Sequence, residues 1–404
     1  MILASNHSSE NIQIGIIAIG LLLLQIPATA ILLARLFKGI IRRPPLNPLS
    51  PNPNLLGTVS IIVPTLNEAA RIKPCLTGLT QQSYEVREII IIDSNSQDGT
   101  QEIVKNFAET DPRFRLITDS PLPQNWVGRP WALHNGFLHS SQFSQWILGI
   151  DADTQPHPNL VASFITAAEA EGFDMVSLSP QFILKYPGEM WLQPALLMTL
   201  IYRFGPTGIG GEMPERVMAN GQCFLSKRSV LTALAGYSCA KSSFCDDVTL
   251  ARYAASQGFK VGFLDGAKLV KVRMYEGAAE TWQEWGRSLD LKDACSPAQL
   301  WGDLLLLLAV QGLPIPILVY WLLFYSGGDG SFSLLLLGLN LFLLAMRIGL
   351  NFAIAPSYDR TQGKNSWLFW LSPLADPLAF LRIFLSSLQK PKQWRGRIYN
   401  IAGD

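Results

Sequence analysis

The chain has 404 residues with formal net charge +1, 49% hydrophobic and 16% charged residues. The charged share falls below the roughly 25% usual for soluble domains, and the near-zero net charge excludes the global basic field of a nucleic-acid binder. Its five cysteines form no CxxC pair and no Cys/His metal pattern, which suits reduced thiols better than a disulfide framework.

In chain order, Ile12–Phe37 is almost wholly apolar and longer than the about 20 residues that cross a bilayer. It has no basic n-region and no small-x-small cleavage site, so it is expected to be an anchor rather than a cleaved signal peptide. Lys38, Arg42 and Arg43 follow and place that side in the cytoplasm. A Pro/Asn-rich linker, Pro44–Asn54, comes next. Val59–Pro64 and Glu88–Asp93 are β-branched apolar runs, the pattern of strands buried on both faces. Further strands are expected at Phe114–Thr118, Trp146–Ile150 and Met175–Leu178. Helical stretches alternate with them at Ala69–Gln82, from Thr100, at Trp131–Phe143 and at His157–Ala170. Such alternation implies an α/β fold with a mainly parallel twisted sheet and helices on both faces, whose ligands bind at the carboxyl ends of strands.

Met190–Phe204 is apolar and aromatic; it is either a buried core helix or an interfacial helix with Trp191 and Tyr202 at headgroup level. Two more spans are expected at about Trp301–Tyr325 and Phe332–Ala355, joined by a turn, Ser326–Ser331, that has no Lys or Arg and suits the outer side. Trp367–Leu388 is broken by Pro373 and Pro377 around Asp376. A full crossing there would put Lys390, Lys392, Arg395 and Arg397 outside, against the charge rule, so a re-entrant or interfacial segment is expected. The organisation is therefore an anchor with its basic flank (1–43), a linker (44–56), a cytoplasmic catalytic domain (57–292) and a C-terminal membrane region (293–404).

The acids fall where an α/β sheet binds ligands. Asp151-Ala152-Asp153 follows the strand ending at Ile150, and one or two carboxylates there suit a hard divalent cation completed by phosphate oxygens. Asp93 ends a strand and can accept hydrogen bonds from a base or ribose. Asp98 fits a turn or helix-capping role. Asp246-Asp247 opens a helical stretch to about Gln257; the pair is either a capping and dipole feature or a source of a general base. Asn220-Gly221-Gln222-Cys223 precedes a strand-like Phe224-Leu225 and is placed at the floor of an acceptor pocket. Neither a phosphate-binding G-x-x-x-x-G-K-[ST] nor a strand-bound dinucleotide fingerprint is present.

In this order the motifs resemble glycosyltransferase family 2, whose nucleotide-sugar-binding fold is called GT-A. The resemblance covers about Val59–Arg287. It rests on Pro64-Thr65-Leu66-Asn67-Glu68, on Asp93 with Asp98-Gly99-Thr100, on Trp126-Val127-Gly128-Arg129-Pro130-Trp131-Ala132-Leu133, on Asp151 with Asp153, and on Asp246-Asp247. Ser94 replaces the second acid of the family's D-D-x-S-x-D-G-T segment, and Arg129 replaces a lysine while keeping the charge. The resemblance implies Thr65, Glu68, Asp93, Arg129 and Asp151 toward the donor, Asp153 and Asp151 on a Mg or Mn ion, and Asp247 as the base. Asp246, Gln222, Trp285 and Arg287 would serve the acceptor or diphosphate. Arg287 stands where processive synthases have Q-x-x-R-W, but no Trp follows it, which argues against polymer extrusion. The stretch Arg273–Ser288 and the Pro-broken C-terminal segment are instead similar to membrane glycosyltransferases of carotenoids, hopanoids and sphingolipids.

The expected protein is thus an inverting, metal-dependent transferase in the cell or thylakoid membrane. It would take a nucleotide-sugar donor and a lipophilic acceptor, best a hydroxylated carotenoid, lie among membrane lipid and bind no nucleic acid. A hopanoid, sphingolipid or polysaccharide acceptor and an inactive scaffold of the same fold are the alternatives.

Overall fold

The structure, a computed structural model, describes residues 2–119, 121–210, 213–286, 289–324, 331–389, 393–394 and 397–398, with side chains from 15 to 389. Arg287, the turn at 326–330, Lys390, Lys392 and Arg395 lie outside the described residues. The chain opens with α1 (Ile2–Phe37), then runs β1 (Val59–Thr65), α2 (Ile72–Thr80), β2 (Val86–Asp93), α3 (Thr100–Thr110), β3 (Phe114–Thr118), α4 (Gly128–His139) and β4 (Trp146–Ile150). It continues with β5 (Thr154–Pro156), α5 (Leu160–Ala170), β6 (Met175–Ser179), β7 (Gln181–Ile183), α6 (Pro187–Phe204), β8 (Cys223–Lys227), α7 (Arg228–Ala233) and α8 (Asp246–Ser256). Then come β9 (Val261–Asp265), β10 (Val270–Val272), α9 (Gly277–Glu280), α10 (Pro297–Leu307), α11 (Pro314–Phe324), α12 (Ser331–Ile354), β11 (Tyr358–Asp359) and α13 (Asp376–Ser387).

Seven strands form one sheet in the order β3-β2-β1-β4-β8-β6-β9, parallel except that β8 runs antiparallel to both neighbours. Alternate side chains of β1 feed two cores. Ile61 and Val63 pack with α2 and α5, while Ile62 packs with Ile90, Ile147 and α4. Burying each such side chain is worth about 1.5–3 kcal/mol, which is why these strands carry Ile and Val on both faces. The helix after β1 starts at Ile72 rather than Ala69. Asn67 takes a positive φ of 54°, and the amides of Asn67 and Ala69 are held by Ser96 and Asp98 from the β2–α3 loop. Asp98 also accepts from Thr100 N at 3.1 Å, a local turn bond that ties the loop to the first residue of α3, as its turn setting implied. The α4 helix begins at Gly128, three residues earlier than the periodicity indicates, with Pro130 in its first turn.

Among the described residues, four helices are long and apolar enough to cross a membrane: Gly15–Ile41, Pro297–Phe324, Ser331–Ser357 and Ser366–Ser387. Inside them polar groups pair with each other. Gln25 and Asn340 exchange amide bonds at 2.9 Å, joining α1 to α12. Asp376 accepts from Arg347 at 2.8 Å, at the point where the 3₁₀ helix Ser366–Ala375 gives way to α13. The break expected around Pro373 and Pro377 is therefore present. The α6 helix packs on this segment and on α1, and Tyr202 is fully buried, so its expected place at a headgroup boundary is corrected: it points into the core between α6 and the C-terminal helices. The described cysteines are unpaired thiols.

Candidate active site

Pairing of β4 with β8 creates the centre of the site. Ile150 lies opposite Cys223, so the residues just beyond, Asp151 and Gln222, come together, with Asp151 N donating to Gln222 O at 3.1 Å. The first turn of α4 brings Arg129 in from one side, and the first turn of α8 brings Asp246 and Asp247 from the other.

Arg129 is the hub. Its Nε and Nη2 donate to Asp151 Oδ1 at 3.1 and 3.0 Å, Nη2 also donates to Gly221 O at 2.7 Å, and Nη1 bonds Asp246 Oδ2. Burial pulls the guanidinium down, but the charges of Asp151, Asp246 and Asp247 outweigh it and hold Arg129 above its ordinary value. The backbone of Gly221 carries a second link, because its N–H donates to Asp247 Oδ2 at 2.7 Å. A side chain at Gly221 would overlap Arg129. Asp247 Oδ1 accepts from Val248 N at 2.9 Å. Burial first, then the neighbouring charge of Asp246, pushes the Asp247 carboxyl up to about 6, against the pull of Arg129 and the two amides. Burial raises Asp246 as well, with Arg129 opposing it. A carboxylate poised near neutrality is what a general base requires.

These groups open into one cavity of about 920 Å³, lined by Arg129, Asp151, Asp153, Gln222, Asp246 and Asp247, with Trp285 also on its wall. Trp285 packs on Phe182 with ring centres 5.7 Å apart. Thr65, Glu68 and Asp93 stand elsewhere, buried at the ends of β1 and β2 and outside this lining. Asp93 accepts from Thr65 Oγ1 at 3.2 Å, Ser96 N at 2.9 Å and Gln101 Nε2 at 2.7 Å, so its bonds organise the two loops. Arg287 lies outside the described residues.

Among the described residues no group of three or more His, Cys, Asp or Glu is placed to hold a metal ion. Asp151 and Asp153 on one cavity wall nonetheless match a hard divalent cation, which commonly takes one or two carboxylates and completes its shell with phosphate oxygens and water. The Arg129 fork falls on a single oxygen of Asp151.

Sequence reasoning missed two supports. One is the Gly221 peptide, whose role exists only once β8 folds against β4. The other is Glu189, fully buried, which accepts from Arg273 Nη1 at 2.6 Å and from Gly277 N at 2.8 Å. Arg273 N in turn donates to Asp153 O at 3.2 Å and fixes the acidic loop. A glutamate three residues into a helix opened by Pro187 was the available signal.

Comparison with known proteins bears on the fold that carries these residues. Residues 60–234 match the family described as Glycosyl transferase family 2. The chain is 28% identical over 129 residues to glycosyltransferase AglE of Haloferax volcanii, across 31% of this chain and 40% of that protein. It is 25% identical over 235 residues to 4,4'-diaponeurosporenoate glycosyltransferase of Staphylococcus haemolyticus, across 57% of this chain and 61% of that protein. The alignments thus span 40% and 61% of the length of these two curated relatives. Among solved structures, the mannosyltransferase PcManGT from Pyrobaculum calidifontis, in complex with GDP-Man and Mn2+, superposes with a TM-score of 0.52 at 20% identity, covering 90% of this chain and 98% of that one. Residues 60–234 thus match a family 2 glycosyltransferase domain, and the superposition shows the GT-A fold.

Proposed function

We propose that the protein moves a sugar from a nucleotide-sugar onto a hydroxyl of a lipophilic membrane acceptor, with inversion at the anomeric carbon. The observation that carries this reading is a single cavity holding Asp151, Asp153 and Asp247 at one end and apolar helix ends at the other. The catalytic domain, 57–292, would face the cytoplasm between the anchor of 1–43 and the membrane region of 293–404.

Asp247 takes the proton of the acceptor hydroxyl, whose oxygen attacks the anomeric carbon as the nucleoside diphosphate leaves. The Gly221 and Val248 amides keep the carboxylate aimed. Arg129 holds Asp151 and Asp246 in register and adds positive charge beside the leaving diphosphate. A divalent ion, Mg or Mn, held by Asp153 and Asp151, would offset the charge on the departing diphosphate; the Mn2+ in the mannosyltransferase complex supports this. Thr65, Glu68 and Asp93 would frame the nucleoside end of the donor. Gln222, Trp285 and Arg287 are assigned to the acceptor side. Relatives named as 4,4'-diaponeurosporenoate glycosyltransferases, 25% and 26% identical over 57% of the chain, lean the acceptor toward a carotenoid, best a hydroxylated one.

The test uses the full chain in vesicles with acceptor and labelled nucleotide-sugar. Labelled product should pass into the organic phase. Asp247→Asn should lower that rate by about 10²–10⁴-fold, since the amide cannot take a proton, while nucleoside diphosphate binding persists. Near-normal turnover by the variant would remove Asp247 from the mechanism.

A further inference from the structure

The same cavity has a second, apolar half built from three helical stripes. On α6, Leu197, Leu200, Ile201 and Phe204 line it at spacing i, i+3, i+4 and i+7. Most of the remaining α6 side chains are buried against protein, so these half-exposed positions are the face left for the cavity. On α12 and the turn after it, Leu350, Ala353, Ile354 and Ser357 repeat the same spacing. Leu36, Gly39 and Ile40, at the end of α1 and just beyond, add a third stripe. Ile40 is 77% exposed although it lines the cavity, and Ala353 is exposed too. Both belong to candidate spans, Gly15–Ile41 and Ser331–Ser357, and both stand near the C-terminal ends of those spans.

A cavity for the sugar and nucleotide alone has no use for three converging apolar stripes. Arg42 and Arg216 also line the cavity, Arg216 lying 5.6 Å from the centre of the Phe204 ring, but the Leu and Ile side chains of the stripes are apolar surface that a hydrocarbon covers more favourably than water does. The occupant must reach both the bilayer and Asp247. A linear apolar chain bearing a terminal hydroxyl meets both requirements.

We infer that the stripes of α6 and α12 form a binding slot for the acceptor's hydrocarbon chain, entered from the bilayer through a mouth framed by Ile40 and Ala353, which delivers the hydroxyl to Asp247. This rests on the transferase reading above and adds the location and route of the acceptor. It also explains why α6, a helix inserted between the donor motifs and the base, is apolar on its cavity face as well as on its packed one.

The probe is a long-chain alcohol carrying a diazirine, photoactivated in phosphatidylcholine vesicles containing the full chain. Crosslinks are expected on Leu200, Phe204 and Ala353, and they should persist in a large excess of the vesicle lipid. Ala353→Trp and Leu200→Trp should each lose these crosslinks, and with them transfer to a membrane acceptor, while still binding nucleoside diphosphate as proof of folding. Crosslinks confined to outward residues such as Leu322 and Leu334, or unchanged in both tryptophan variants, would overturn the slot. So would displacement by phosphatidylcholine, which would mark the stripes as ordinary lipid contacts. Crosslinking requires no sugar transfer: a chain that labels at the slot yet glycosylates nothing keeps this inference and refutes the proposed activity.

Discussion

Replacing Arg129 by methionine removes the cation that pairs with both Asp151 and Asp246, and leaves the buried Asp246-Asp247 pair without it. Arg129 makes three hydrogen bonds to carboxylate oxygens and one to the Gly221 carbonyl. Deleting one partner of a buried ion pair typically costs about 3–5 kcal/mol, because the remaining charge has neither water nor counter-ion. Asp246 and Asp247 have folded-state values above the ordinary carboxylate value of about 3.9, Asp247 reaching about 6. The folded protein therefore holds their protons longer than the unfolded chain does, and stability falls as pH rises through that window. Arg129→Met raises both values further, so its loss of stability should be larger at pH 8 than at pH 5. The acid limb of the transfer rate should also move to higher pH, since Asp247 must ionise to act. Thermal unfolding of the purified protein at the two pH values, followed by a rate profile, reads both effects. Arg129→Lys keeps the charge without the fork and should fall between the two. An Arg129→Met protein with wild-type melting at both pH values and an unmoved acid limb would refute the hub assigned to this residue.

Asp153→Ala should weaken metal-dependent nucleoside diphosphate binding, whereas Asp98→Ala, which loses the bonds from Ala69 N and Thr100 N, should cost about 1 kcal/mol of stability and leave that binding intact. Equal loss of metal dependence in titrations of both variants would contradict the division. Despite burial, bonds from the Ser141 amide, the Ser60 hydroxyl and Arg115 hold Glu88 below its ordinary value, so it stabilises the fold above the unfolded glutamate value and loses that contribution as pH falls through its folded one. Glu88→Gln should therefore destabilise by about 1–3 kcal/mol at pH 7, with the gap to wild type closing in acid melts. Impermeant thiol labelling of cysteines placed at Asn54 and Gly328 in intact cells should modify Gly328→Cys alone; the reverse would put the catalytic domain outside.

The parts legible in the sequence are those whose cause is local. Val59–Pro64 and Glu88–Asp93 declare themselves because a strand buried on both faces must be apolar at every position. Asp98 could be placed because its partners, Thr100 and the adjoining loop, are set by turn chemistry two residues away. The Arg129–Asp246 bond joins residues 117 apart and depends on β8 entering the sheet antiparallel, which nothing in Cys223–Lys227 announces. Tyr202 misled for a related reason. An aromatic with a hydroxyl near an apolar stretch fits an interface, but packing of α6 against the segment after Ser366 buries it. The stripe that lines the slot was visible as spacing, yet which face of α6 meets a cavity is decided by α12, about 150 residues later.

That dependence on distant helices reaches the acidic loop as well. Four short strands run side by side in the order β11-β7-β10-β5. At one edge β5 begins with Thr154, immediately after Asp153; at the other, β11 begins with Tyr358, immediately after the span ending at Ser357. The ladder between them is continuous: Thr154 pairs with Val272, Val272 with Phe182, and Phe182 with Tyr358. Lys271 Nζ bonds Asp359 Oδ2 at 2.8 Å across one seam, and Arg273 joins the Asp153 carbonyl to the buried Glu189 across another. The end of α12 is thus joined through paired strands to the loop that presents Asp153, with Phe182, on the cavity wall, in the ladder between them. The candidate span Ser331–Ser357 thus leads directly into the frame around these acids, and a fragment ending at residue 292 would lack β11, the edge strand of this sheet.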